Sequence, residues 1–171
     1  MNQMDLGMVV MVVMMVKVMM VGEKTAGTEA LANTRSLVLW NVEDGARIHS
    51  VDAPDAQALS VSPDGTQVAE AGLDMKVRIR NAETLEVSQV LRVHDGPVLD
   101  VAWHPKSPLL ATCSEDFMLR IWNLQTGELV QEFGMFATTP RHLRWSPDGS
   151  RLSVQFSTGD VGLLTPKIPK P

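Results

Sequence analysis

From residue 37 onward the apolar residues fall into short runs separated by Gly, Pro, Asn and Asp. Runs of this length, rich in Val, Leu, Ile and Trp and bounded by turn formers, predict β-strands rather than helices. The clearest stretch predicts four in succession: Val98–Trp103, Leu109–Ser114, Met118–Trp122 and Leu129–Phe133. The turns between them are His104-Pro105-Lys106-Ser107, Glu115-Asp116 and Asn123 to Gly127. Two strands are predicted earlier, Leu37–Trp40 and Arg47–Val51, and three later, Leu143–Trp145, Arg151–Phe156 and Val161–Leu164.

The pattern repeats. Ser62-Pro63-Asp64-Gly65 returns as Ser146-Pro147-Asp148-Gly149, and the prolines at 63, 105 and 147 are 42 residues apart. In such a turn Pro presets φ at the second position and Gly takes the left-handed one. Val61, Trp103 and Trp145 precede the three turns; Asp74 maps onto Asp116, and Ile79-Arg80-Asn81 onto Ile121-Trp122-Asn123. Leu39-Trp40-Asn41 is an earlier copy of the same run, and Leu85 stands where a turn glycine is expected in the middle copy. A unit of about 40 residues with four antiparallel strands is the signature of a propeller blade.

The residues His94-Asp95-Gly96-Pro97-Val98, Val101-Ala102-Trp103-His104-Pro105, Leu110 to Asp116 and Leu119-Arg120-Ile121-Trp122-Asn123 resemble the WD-repeat (Trp-Asp) β-propeller family. The resemblance covers residues 30–165. It implies an all-β fold: an incomplete propeller arc of about three four-stranded antiparallel blades, since closed propellers typically hold four to eight. It also implies a hydrogen-bonded structural set of His94, Thr112, Asp116 and Trp122. In the middle copy Asp52, Glu70 and Arg80 replace the first, second and fourth of these, leaving Asp74; in the last copy none is kept. The Ser-Pro-Asp-Gly turns also resemble TolB-like and peptidase-associated propellers.

The domain plan read from the chain is a leader and linker over 1–29, blades over 30–165 and a Pro-spaced tail, extended and unpaired, over 166–171. Eight of the eleven methionines lie in the first twenty residues, and thirteen of the fourteen residues from Met8 to Val21 are Met or Val. The apolar run 6–21 is short of the roughly 20 residues a spanning helix needs, and Lys17 interrupts it. The expected location is therefore cytoplasmic, with membrane attachment or export through residues 6–21 as the alternative.

With a net charge of −5 the chain lacks the basic surface that nucleic acid demands. The single cysteine, Cys113, lies within a predicted strand and excludes an internal disulfide. No Gly-x-Ser-x-Gly elbow, phosphate loop or metal-ligand spacing occurs. No catalytic residue, cofactor or metal is expected.

The expected function is a protein–protein interaction scaffold without catalysis of its own. The alternatives are a propeller module of a larger TolB-like or peptidase-associated protein, or a truncated, non-functional fragment. Partners are other proteins or peptides, including further blades in another chain, with no nucleic acid. By the resemblance they dock on loops joining the strands at one end, at Asp55, Asp74, Asp95, Glu115, Phe117 and Phe136, an acidic surface suited to a basic or aromatic-accepting peptide. Three energetic expectations accompany this reading. Asp74 pairs with Arg80. Trp122→Ala costs about 3–5 kcal/mol, and Arg80→Ala far less. Open sheet faces that include Val61, Val98, Val101, Leu109 and Leu110 drive the isolated chain to self-associate.

Overall fold

The protein is described by a computed structural model covering residues 35–168 except 42, 43 and 135. The leader 1–29, the boundary at residue 30 and the last three residues of the tail lie outside the described residues. Every regular element among the described residues is a strand, and no helix is long and apolar enough to cross a membrane.

Among the described residues thirteen strands form four antiparallel sheets. The first pairs β1 (Ser36–Trp40) with β2 (Arg47–Asp52). The second holds β3 (Ala56–Val61), β4 (Gln67–Gly72), β5 (Lys76–Asn81) and β6 (Val87–Arg92) in chain order. The third repeats this with β7 (Val98–Trp103), β8 (Leu109–Ser114), β9 (Leu119–Asn123) and β10 (Leu129–Phe133). The fourth contains β11 (Pro140–Trp145), β12 (Leu152–Phe156) and β13 (Val161–Leu164). The fold is thus all-β: two four-stranded blades flanked by sheets of two and three strands. Predicted and observed strands agree to within a residue or two, except that β11 begins at Pro140.

The sheets stack face to face, with β7 packed between β3 and β11. One core lies between each neighbouring pair. Leu37, Leu39, Ala53, Ala56 and Leu85 fill the first; Ala69, Val77, Ile79, Val101 and Leu110 the second; Leu109, Ala111, Leu119, Ile121, Leu143 and Leu152 the third. Side chains alternate across a strand, so β8 sends Leu110 one way and Leu109 and Ala111 the other. All six of its residues are buried. This overturns the expectation that Val98, Val101, Leu109 and Leu110 form open faces: each is at most 4% exposed, covered by the adjoining sheet, and Val61 is half-buried. The most exposed large apolar side chains among the described residues are instead Val161 (72%) and Leu163 (59%) on β13.

A tryptophan ends β7 and β11 alike, and each fastens its sheet to the one before. Trp103 Nε1 donates to the Ser60 carbonyl at 2.9 Å, and Trp145 Nε1 to that of Ala102 at 3.1 Å. His104 adds a tie, its Nε2–H donating to the Gly149 carbonyl (3.2 Å) while Nδ1 accepts the Lys106 N–H (3.1 Å). Gly149 has φ +78, and a Cβ there would strike the His104 ring.

Leu85 adopts φ 58 at the turn where Gly45 and Gly127 sit in the neighbouring sheets. A left-handed L-residue is disfavoured by about 1–2 kcal/mol, but Leu85 is 1% exposed, and such burial contributes about 1.5–3 kcal/mol. The tail departs from expectation as well. Lys167 N–H donates to Gln131 Oε1 at 2.8 Å, and Ile168 packs on the third core. These contacts fix residues that their prolines alone would leave extended.

Leu119→Ala should lower unfolding free energy by about 2–5 kcal/mol, because it opens a cavity between two sheets. Leu163→Ala should change it by no more than about 0.5 kcal/mol. Urea titrations of both variants check the assignment of the covered and uncovered faces.

Candidate functional site

Antiparallel succession alternates the ends of the stack. The turns β2–β3, β4–β5, β6–β7, β8–β9, β10–β11 and β12–β13 share one end, which carries every residue expected to meet a partner. Beneath it lies the polar set of the third sheet. His94 comes from the β6–β7 loop, Thr112 from β8, Asp116 from the β8–β9 turn and Trp122 from β9. His94 Nδ1 lies 2.8 Å from Asp116 Oδ2, and His94 Nε2 lies 2.7 Å from Thr112 Oγ1. Trp122 Nε1–H donates to Thr112 Oγ1 at 3.2 Å. The indole can only donate, so the threonine oxygen accepts and its proton is free for the imidazole.

Arg120 closes the set, although sequence reasoning gave it no part. Its Nη1 donates to Asp116 Oδ2 (2.8 Å) and the Val93 carbonyl (3.0 Å), and its Nε to Glu132 (2.6 Å). The same Nη1 stands 2.7 Å from His94 Nδ1. Burial lowers the His94 pKa, outweighing the Asp116 carboxylate, and the Arg120 cation acts in the same direction as burial. Burial would raise Asp116, but its bonds from His94 and Arg120 hold it below the usual carboxylate range.

In the second sheet the expected Asp74–Arg80 pair does not form. Asp74 is bound by Arg78 (2.6 Å) and Lys76 (2.9 Å), which override the effect of burial and hold its pKa at about 2. Arg80 donates to Glu70 at 2.6 Å and to the Leu85 carbonyl at 2.8 Å. Arg78 and Arg80 share a strand face, and Arg80 lies two residues further from the turn, roughly 6.6 Å along the strand. The legible signal was the spacing itself: Asp-x-x-x-Arg occurs at Asp74/Arg78 and again, 42 residues on, at Asp116/Arg120.

Glu70 and Arg80 occupy the places of Thr112 and Trp122. Their side chains are 1% and 8% exposed, so an ion pair replaces the hydroxyl–indole bond. This argues against the expectation that Arg80 can be truncated cheaply, because its loss would leave the buried Glu70 carboxylate with only the longer contact to Arg78, at 3.6 Å.

The six loop residues are not equivalent. Asp95, Glu115 and Phe117 face solvent, Asp55 and Asp74 are half-buried, and Asp74 is neutralised. Phe136 is not presented outward: it packs edge-on against Phe156, ring centroids 5.2 Å apart, beside the third core. The surface is also less acidic than expected, since Lys76, Arg78, Arg92 and Arg120 share this end. A cleft of about 400 Å³ opens there between Asp74, Met75, Lys76, Arg92, His94 and Arg120. Met75, which sequence reasoning passed over, lies 42 residues before Phe117. Both are about half exposed on left-handed backbone, at φ 68 and 63.

Among the described residues no three His, Cys, Asp or Glu converge on a metal position. Cys113 is buried, which pushes its thiol pKa far up and away from nucleophilic use.

Stacked four-stranded blades on a 42-residue step, with one blade tied by His, Thr, Asp and Trp, define a repeat protein of the propeller class. One blade of the chain is a WD repeat, and the chain is similar to WD-repeat proteins beyond it. The family model "WD domain, G-beta repeat" matches residues 85–123. The chain is similar to Protein HIR1 of Cryptococcus neoformans, 38% identical over 112 residues, which are 62% of this chain and 12% of that protein. It is similar to Actin-interacting protein 1 of Drosophila melanogaster, 40% identical over 84 residues (48% of this chain, 14% of the relative). WD repeat-containing protein WDS homolog of Arabidopsis thaliana is 30% identical over 108 residues (60% and 21%). The chain thus spans between 12% and 21% of the length of these relatives.

Arg80→Ala should destabilise the fold by about 3–5 kcal/mol, as breaking a buried pair does, whereas Glu70→Met combined with Arg80→Met should recover most of that loss. Chemical denaturation of the single and double variants checks this. His94 and His104 have folded pKa values lowered by burial. The unfolded chain therefore takes up protons first. Their contribution is complete above about pH 6.5 and is lost as pH falls through the folded values. Melting temperature should drop from pH 7 to pH 5, and less so in His94→Gln.

Proposed function

We propose that the chain is a protein-interaction scaffold whose partner docks on the loop end, across the tips of the second and third blades, and that it performs no catalysis itself. One observation carries the reading. Met75, Phe117 and Gly159 hold the same place in successive β4–β5, β8–β9 and β12–β13 turns, all with positive φ. Gly159 is the residue such a turn favours, because glycine bears no Cβ. A bulky side chain there is a local liability. Met75, which lines the cleft, and Phe117 at the same end nevertheless stand half exposed, where their apolar surface contributes little to the fold.

Exposed Met and Phe suit an apolar anchor on the partner, and the mixed charges around them suit a polar rim. The four cations beside Asp74, Asp95 and Asp116 favour a partner carrying both signs over a purely basic peptide. The family likeness supports the same reading, in which other proteins are the partners.

Replacing both residues by glycine separates the two roles of these turns. Met75→Gly with Phe117→Gly should raise stability by roughly 1 kcal/mol or more through relief of the left-handed strain. The same change should abolish recovery of a cross-linked partner in affinity purification from the native cell. Unchanged recovery of that partner by the double variant would end the proposal.

A further inference from the structure

At the end opposite the loop tips, a groove of about 510 Å³ runs between the second and third sheets. Ile79, Trp103 and Leu124 line it, Pro105 and Asp64 stand at its edge, and Gln89 of β6 faces into it. The Gln89 side-chain amide has no hydrogen-bond partner among the described residues.

The next junction shows what such a groove holds. Gln89 pairs in register with Ile79, and 42 residues later Gln131 pairs in register with Ile121. Gln131 is occupied: its Oε1 accepts the backbone N–H of Lys167 at 2.8 Å, and Ile168, like Trp145, packs against the core containing Ile121. Trp145 is itself the 42-residue counterpart of Trp103. Lys167 and Ile168 of the chain's own tail thus dock between the third and fourth sheets, while the equivalent place one sheet earlier is an open groove.

We propose that the groove at Gln89 binds an extended peptide of another protein with the chemistry of residues 165–168, a proline followed by a lysine and an aliphatic residue. The peptide donates a backbone N–H to Gln89 Oε1, lays its aliphatic side chain against Ile79 and Trp103, and points its lysine at Asp64. Proline fixes φ and favours the extended form, so little conformational freedom is lost on docking in an aromatic-lined groove. Asp64 is an exposed carboxylate held below its usual pKa by bonds from Ser62 and Thr66, and it joins no ion pair among the described residues. The chain's own tail is engaged at Gln131, so a separate polypeptide is the occupant. The site is remote from the loop tips, and either proposal can fail without the other.

The test titrates the full chain with the synthetic peptide Thr-Pro-Lys-Ile-Pro-Lys-Pro, followed by tryptophan fluorescence and calorimetry. Saturable binding is expected. Gln89→Ala should weaken it about 5-fold or more, the loss of one hydrogen bond, with an unchanged melting curve. Gln89→Glu, which still accepts an N–H, should retain it, Gln131→Ala should leave it within about 2-fold, and a peptide with serine for isoleucine should not bind. No saturation at millimolar peptide would overturn the proposal. So would weakening by Gln131→Ala but not by Gln89→Ala, which would mean the peptide only displaces the tail. Self-association of the chain that the peptide abolishes would make a second copy the occupant, and would likewise overturn the assignment to a separate protein.

Discussion

Each sheet in this chain has two apolar faces and can cover neither alone. Everything else depends on the seam where the inner strand of one sheet meets that of the next. Trp103 and Trp145 mark those seams, each handing its indole proton to a carbonyl of the preceding inner strand. The bond does two jobs. It satisfies a polar atom at the edge of an apolar layer, and it sets the offset between sheets, since a large flat side chain fits only one stagger. The cores of Leu, Ile, Val and Ala between the sheets supply the driving force. The indole bonds supply register.

On that frame the third sheet carries neutral chemistry where the second carries charge. Thr112 and Trp122 in one become Glu70 and Arg80 in the other, and in each sheet the two residues bond to one another. A repeat tolerates such a swap only when both positions change together, because a lone buried carboxylate or guanidinium would be severely penalised. The Arg80 bond to the Leu85 carbonyl shows how far the exchange reaches. It steadies a turn in which leucine stands in a glycine's place, so the ion pair and the unusual backbone support one another.

Much of this architecture was legible in the sequence because a strand's run of apolar residues and the Pro-Asp-Gly chemistry of its turns are local. The 42-residue step and the strand order could be read from Pro63, Pro105 and Pro147 outward, and the His94–Thr112–Asp116–Trp122 set followed from the family resemblance. Charge pairing was legible only in the repeated Asp-x-x-x-Arg spacing at Asp74/Arg78 and Asp116/Arg120. Asp74 had three basic residues on the following strand to choose from, and composition alone cannot rank Lys76, Arg78 and Arg80. Distance from the turn decides it, and the repeated spacing is its trace in the sequence. Phe136 was misplaced for a related reason: a loop position says nothing about whether a ring turns outward or, like this one, back onto Phe156. Nor could the sequence show which faces are covered, since Val98 and Leu110 read alike whether or not another sheet lies over them.

Cys113 offers a use for the seam between the third and fourth sheets. It is the only cysteine in the chain, and its sulfur is sealed in the core shared with Leu143 and Leu152. A thiol reagent can reach it only when those two sheets part or the strand itself melts. The rate at which the native protein takes up such a reagent therefore reports how often one blade lifts from the next. It gives the cohesion between neighbouring repeats directly, without any engineered probe.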